Sequence, residues 1–125
     1  MERERMDNDT KAVRVSVTLN GNEFAIELAD NPASEAFAAL LPFQGEMSEL
    51  NGNEKYLMLD ETLPADPVNP GTIEAGDVML YQSSCIVIFY ETFPTNYSYT
   101  RIGKIEDSQK LKEAVGSGVV DVSFS

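Results

Sequence analysis

Arg101 has the setting most suggestive of ligand chemistry, because no Lys or Arg occurs between Lys55 and Arg101. Alternate positions along a strand share a face, so Tyr97, Tyr99 and Arg101 are predicted to lie side by side. A guanidinium on such a face can bind a carboxylate or carbonyl oxygen of a ligand. The alternative is an ion pair with an acidic neighbour such as Glu91 or Glu106. The sequence leaves both interpretations open.

Aromatic residues are the second candidate group. Large rings with a few polar tips can line a ligand pocket, although strand faces favour the same residues as plain core and rim. The wider set comprises Tyr56, Tyr81, Phe89, Tyr90, Phe93, Tyr97 and Tyr99. From it we predict Tyr56, Phe93, Tyr97 and Tyr99 as ligand-binding residues beside Arg101, with Tyr99 and Phe93 as the exposed ones.

No residue pattern predicts a reaction. Cys85 is the only cysteine, the chain has no His, and no cation lies near Cys85 in sequence, so nothing lowers its thiol pKa. It is expected to be a small buried hydrophobe of a strand. Zinc ligands, EF-hand spacing and nucleotide-binding glycine loops are all missing from the sequence. We therefore predict no catalytic residue, no metal and no cofactor, and leave open whether the chain is an enzyme.

The charge disfavours polyanionic partners. Nine Lys and Arg stand against 21 Asp and Glu, a net charge of −12 in 125 residues. Such a field repels nucleic acid, so no nucleic-acid partner is expected. No apolar run approaches the roughly 20 residues of a membrane helix, and residues 1–11 lack a signal-peptide core. Residues 1–11 are predicted to be a disordered leader and residues 12–125 one domain, with a cytoplasmic location as the default expectation.

Eight strands are predicted from period-two alternation and apolar runs bounded by turns. Asn20-Gly21 and Asn51-Gly52 favour hairpin turns, and residues 85–90 are apolar enough to be buried on both faces. The long loop over residues 60–72 is predicted to be functional or to cover one end of the structure. The strands span residues 13–19, 23–28, 43–50, 55–59, 78–81, 85–90, 97–105 and 119–124.

Two short helices complete the prediction. Asn31 is a cap before Pro32, an apolar stripe runs from Ala33 to Leu41, and Pro42 ends the helix. A second helix near residues 108–115 is expected to be capped by Asp107 or Ser108 and to end at Gly116. Antiparallel strands without βαβ units indicate a barrel or a sandwich, and eight strands suit a small filled barrel.

Several segments resemble the small prokaryotic cyclophilin-like proteins. The resemblance covers about residues 13–124 and implies a closed eight-stranded antiparallel barrel capped by two short helices. Its motifs are Pro70-Gly71-Thr72-Ile73-Glu74-Ala75-Gly76-Asp77-Val78, Ile86-Val87-Ile88-Phe89-Tyr90 and Arg101-Ile102-Gly103-Lys104-Ile105.

The resemblance implies less about activity. True cyclophilins are prolyl isomerases with a Phe-His-Arg strand, a Gln, a Trp and a His, whereas this chain has no Trp and no His. The small cyclophilin-like proteins are mostly of undetermined function. We therefore expect a non-catalytic module that binds a small molecule or an extended peptide. The alternatives are a degenerate prolyl isomerase, in which Arg101 would weaken the amide resonance of a proline bond, and an interaction domain with an exposed apolar patch.

Overall fold

A computed structural model describes residues 13–125, and the predicted leader over residues 1–11 lies outside the described part. The strands are β1 Arg14–Leu19, β2 Asn22–Leu28, β3 Phe43–Leu50, β4 Glu54–Met58, β5 Thr72–Ile73, β6 Asp77–Tyr81, β7 Cys85–Phe89, β8 Phe93–Pro94, β9 Thr100–Ile105 and β10 Val120–Phe124. Eight of them close into the predicted antiparallel barrel. Their order around it is β1-β10-β3-β4-β7-β6-β9-β2, and β5 and β8 form a separate ribbon.

Apolar side chains fill the barrel interior. Each strand contributes alternate residues to it, among them Val17, Ile26, Met47, Ile88 and Phe124, all fully buried. The packed interior leaves the two largest concavities on the outside of the barrel.

Two helices cap the barrel, as predicted. Helix α1 spans Pro32–Ala39, and the Asn31 side chain accepts a hydrogen bond from the Ser34 backbone N–H at 2.8 Å. Its buried Phe37 packs edge-on against Phe124, with ring centroids 5.3 Å apart. Contact with the barrel supplies the stability that a helix of this length lacks by itself.

Helix α2, Leu111–Val115, starts differently from the prediction. A 3₁₀ turn, Ser108–Lys110, precedes it, and Asp107 adopts a positive φ of 58°. Neither Asp107 nor Ser108 caps α2 through its side chain, because the intervening turn separates both from the start of the α-helix. Gly116 follows the helix with a positive φ, as expected for glycine in that position.

A second apolar layer covers one side of the barrel. Strand β7 sends Ile86 and Ile88 into the interior and Val87 and Phe89 outward, which explains why almost the whole strand is buried. The β5–β8 ribbon covers this side, with the Phe93 ring 5.6 Å from that of Phe89. We call Ile73, Met79, Val87, Phe89 and Tyr99, all buried outside the barrel interior, the outer cluster.

Candidate functional site

Strand register aligns the outward side chains of four strands. Tyr56 of β4 lies opposite Val87 of β7, Val87 opposite Met79 of β6, and Met79 opposite Arg101 of β9. A neighbouring row contains Met58, Cys85 and Tyr81. These two rows form the outer wall on which both candidate pockets lie.

The larger pocket is an open cleft of about 780 Å³ between β4, β7 and the chain after β8. We call it the aromatic cleft. Exposed apolar side chains, Leu50, Met58 and Tyr97, lie along it. Its aromatic lining consists of Tyr56, Tyr81, Phe93, Tyr97 and Tyr99.

The tyrosines of the cleft contact one another. The Tyr81 ring is 6.3 Å from that of Tyr97, at an interplanar angle of 87°, and 5.8 Å from that of Tyr99. Tyr97 is 64% exposed, whereas Tyr99 is only 7% exposed. The prediction of an exposed Tyr99 is therefore wrong, and Phe93, which was also predicted to be exposed, is half-buried. Val68, from the preceding long loop, forms a β-bridge with Tyr99 and places that loop beside it.

Glu54, the first residue of β4, is a half-buried carboxyl group of the aromatic cleft. Burial, and next the negative charge of Glu49, raise the pKa of Glu54 to about 7. Within residues 13–125 no Lys or Arg forms an ion pair with it. Beside it, the buried side-chain oxygen of Asn53 accepts no hydrogen bond from the described part of the chain.

Glu49 remains ionised because its own partners are close. Burial by itself would raise its pKa, but hydrogen bonds from Lys55, Tyr90 and the Gly52 backbone outweigh that effect and lower it. The Lys55 ammonium lies 2.9 Å from one Glu49 oxygen, and the Tyr90 hydroxyl donates to the same oxygen at 2.7 Å. Glu49 is thus a fixed negative charge near Glu54. The Lys55 ammonium forms its ion pair with Glu49 and not with Glu54.

Cys85 lies at the start of β7, next to the cleft, and is half-buried rather than buried as expected. The first position of a strand at an open cleft has no covering layer, which explains the difference. Burial and the nearby charge of Glu54 both raise the pKa of its thiol. These are conditions that disfavour a thiolate nucleophile.

Arg101 lines a different recess, of about 510 Å³, between α1 and the loop that precedes β5. Its Nη1 lies 3.4 Å from Oδ1 of the buried Asp77, and its side chain remains 48% exposed. Asp77 also accepts hydrogen bonds from Lys104 Nζ at 3.2 Å and from the Glu74 backbone N–H at 2.9 Å.

The two acidic partners suggested for Arg101 are both engaged elsewhere. Glu91 pairs with Lys112, and Glu106 pairs with Arg14. Arg101 does have an acidic neighbour, as the alternative interpretation expected, but the neighbour is Asp77 and not Glu91 or Glu106. The pairing of β6 with β9 brings Asp77 close to Arg101.

Sequence comparison assigns the chain to a known family. A family model described as "Cyclophilin-like family" matches residues 17–125. The chain belongs to the cyclophilin-like family. The resemblance deduced from the sequence motifs is thereby confirmed, as is the fold class.

A solved structure agrees with this cyclophilin-like assignment. The solution structure of a hypothetical protein from Archaeoglobus fulgidus superposes with a TM-score of 0.57 at 17% identity, covering 91% of this chain and 94% of that one. A likeness at this identity supports the fold alone. A search of curated proteins gives no significant match.

In this cyclophilin-like barrel the five predicted site residues divide between two pockets. Tyr56, Phe93 and Tyr97 line the aromatic cleft, Arg101 lines the recess, and the buried Tyr99 borders both. The sequence prediction placed Tyr97, Tyr99 and Arg101 side by side on one strand face and did not anticipate this division.

Glu54 is the main lining residue that the sequence prediction missed. The available indication was its period-two relation to Tyr56 and Met58, which places all three on one face of β4. A glutamate beside a lysine in a highly acidic chain gave no reason to single it out.

Two kinds of feature are absent from residues 13–125. No group of three or more Cys, Asp or Glu side chains there is arranged to hold a metal ion. No helix of that part is long and apolar enough to cross a membrane.

Proposed function

We propose that this domain is a non-catalytic binding module whose ligand, a small organic molecule or an extended peptide, lies in the aromatic cleft. The observation that carries the proposal is the cleft itself, an open concavity of about 780 Å³ lined by aromatic rings. Pockets that hold small molecules are mostly apolar, with a few polar groups that fix orientation. Tyrosine suits such a site because it combines a large apolar ring with a polar tip.

The exposed apolar residues support the same location. Of the six large hydrophobic side chains that are exposed among the described residues, Leu50, Met58 and Tyr97 lie along this one cleft. Scattered exposed hydrophobics need no explanation, but their concentration in one concavity is typical of a binding surface.

Catalysis is less well supported than binding. A prolyl isomerase would need a guanidinium over the bound proline. Arg101 instead contacts Asp77 and lines the separate recess. The thiol of Cys85, with its raised pKa, is a poor nucleophile. The geometry therefore favours a binding module over the degenerate isomerase.

The test is a titration followed by amide chemical shifts, using a library of small organic molecules and proline-containing peptides. We expect ligands to shift the resonances of Tyr56, Tyr81 and Tyr97. Tyr97→Ala should weaken binding at least about tenfold, or by about 1.4 kcal/mol, because its exposed ring is a main contact of the ligand. The matched control is Val119→Ala, which truncates an exposed side chain outside the cleft and should leave affinity unchanged.

Ligand shifts confined to the Arg101 recess would contradict this proposal. Equal affinities of the Tyr97→Ala variant and the parent chain, with shifts elsewhere on the barrel, would do the same.

A further inference from the structure

The charge distribution in the aromatic cleft is one-sided. None of its lining residues is a Lys or Arg, and Glu54 is its one carboxylic acid. The Glu54 carboxyl is half-buried and forms no ion pair within the described residues, so its ionised form has lost part of its hydration without gaining a partner. A positively charged ligand group would supply that missing partner.

Aromatic rings add a second attraction for cations. The faces of tyrosine and phenylalanine rings attract an ammonium group when it lies within about 6 Å of the ring centroid. Tyr56, Tyr81, Phe93 and Tyr97 line the same cleft as Glu54. A carboxylate combined with several aromatic rings suits an organic cation, which is larger and more weakly hydrated than a metal ion.

A third observation is the unused acceptor of Asn53. Its side-chain oxygen is buried and accepts no hydrogen bond within the described part of the chain, and Asn53 lines the cleft next to Glu54. A buried acceptor without a donor costs free energy, and a ligand N–H would recover that cost by reaching the oxygen as the Asn53 side chain turns toward the cleft. This feature points to a hydrogen-bond donor independently of the charge on Glu54.

From these three observations we propose that the aromatic cleft binds an organic cation, an ammonium group on a small molecule or on a peptide side chain, held by Glu54 and the surrounding tyrosine rings. This inference rests on the proposed function of the same cleft and specifies its ligand chemistry. The net charge of −12 adds a long-range attraction for such ligands.

The experiment compares two pairs of probes that differ only in charge. The first pair is choline and its uncharged isostere 3,3-dimethylbutan-1-ol, and the second is a tripeptide with a central lysine against the same peptide with norleucine. Affinities are measured from amide shifts at about pH 8, where Glu54 is ionised. We expect the cation of each pair to bind at least about tenfold more tightly, the ratio that corresponds to about 1.4 kcal/mol.

Two variants identify the residue responsible. Glu54→Gln keeps the shape of the side chain and removes its charge, so the preference for the cation should fall to about twofold or less. Glu46→Gln removes an equivalent charge from an exposed position on β3 outside the cleft, and it should keep the preference of the parent chain. The preference should also weaken at about pH 6, where Glu54 is mostly protonated.

The outcomes separate this inference from the proposed function. If both members of each pair, or other neutral ligands, bind the cleft equally well, the cleft is a binding site and the cation proposal is overturned. A preference that survives Glu54→Gln would also overturn it. If no probe or library ligand of any charge shifts the cleft resonances, both proposals fail.

Discussion

Replacing Glu54 by Gln should stabilise the free protein, and by an amount that depends on pH. Burial and the charge of Glu49 raise the pKa of Glu54 from 4.5 to about 7 in the folded state. As pH rises between these two values, the unfolded chain releases the proton while the folded protein retains it, so unfolding becomes easier. The stability that the bound proton contributes is present below about pH 4.5 and lost by about pH 7.

The magnitude follows from the same two pKa values. At about 1.4 kcal/mol for each pKa unit, the full penalty above neutrality is about 3.4 kcal/mol. Glu54 is only half-buried, so solvent screening reduces this to about 1.7 kcal/mol. Glu54→Gln should therefore raise the free energy of unfolding by about 1.7 kcal/mol at about pH 8, and by only about 0.4 kcal/mol at about pH 5.

Urea unfolding at the two pH values, in the absence of ligand, measures this difference. For a domain of 125 residues the gain at about pH 8 corresponds to a rise in Tm of about 5–7 °C. Glu46→Gln, an exposed charge removal on β3, controls for the general effect of lowering the net negative charge. The reasoning is refuted if the two variants have the same stability at both pH values, because Glu54 would then be as well solvated as a surface carboxylate.

Three further predictions concern the scaffold and the Arg101 recess. Gly103→Ala should lower the free energy of unfolding by about 2–3 kcal/mol, because a Cβ there would lie 2.6 Å from a backbone oxygen of β2. The control is Gly118→Ala, whose added Cβ would meet no atom within 4 Å. In the same urea titration it should change the free energy of unfolding by less than about 0.5 kcal/mol. Lys55→Met should lower the free energy of unfolding by about 3 kcal/mol, because its fully buried ammonium is the partner of the Glu49 carboxylate. Lys112→Met, on the surface, should lower it by less than about 0.5 kcal/mol. Equal losses of stability would show that the Lys55 ion pair is not desolvated. Arg101→Ala should leave ligand affinity in the aromatic cleft unchanged in the amide-shift titration, since the guanidinium lines the separate recess. A loss of affinity above about fivefold would mean that the two pockets act as one site.

Local chemistry made much of the fold predictable. Asn51-Gly52 forms the expected tight turn with both residues at positive φ, and Asn31 caps α1 through its side chain. Both features depend on neighbouring residues only. Glu54, Tyr56 and Met58 share the outward face of β4, because the period of a strand is fixed by its backbone.

The division of the site into two pockets depends on long-range pairing that no local pattern contains. A register shift between Val78 and Met79 sets β6 against β9 so that Met79 faces Arg101. The β5–β8 ribbon has only two residues in each strand, too few to show periodicity, yet it covers the outer cluster and borders the aromatic cleft. The burial of Tyr99 by the long loop likewise depends on contacts between distant segments.

The stability penalty of Glu54 and the cation preference of the cleft have a common cause. The ionised carboxylate lacks both full hydration and a partner in the free protein, and an organic cation in the cleft would provide the partner. Binding should therefore lower the pKa of Glu54 and recover part of the penalty of about 1.7 kcal/mol. A cation that stabilises the parent chain at about pH 8 should stabilise it less at about pH 5, and Glu54→Gln should remove that pH dependence. Because the two effects share one carboxylate, a variant that abolishes one and keeps the other would show that Glu54 is not the group that connects them.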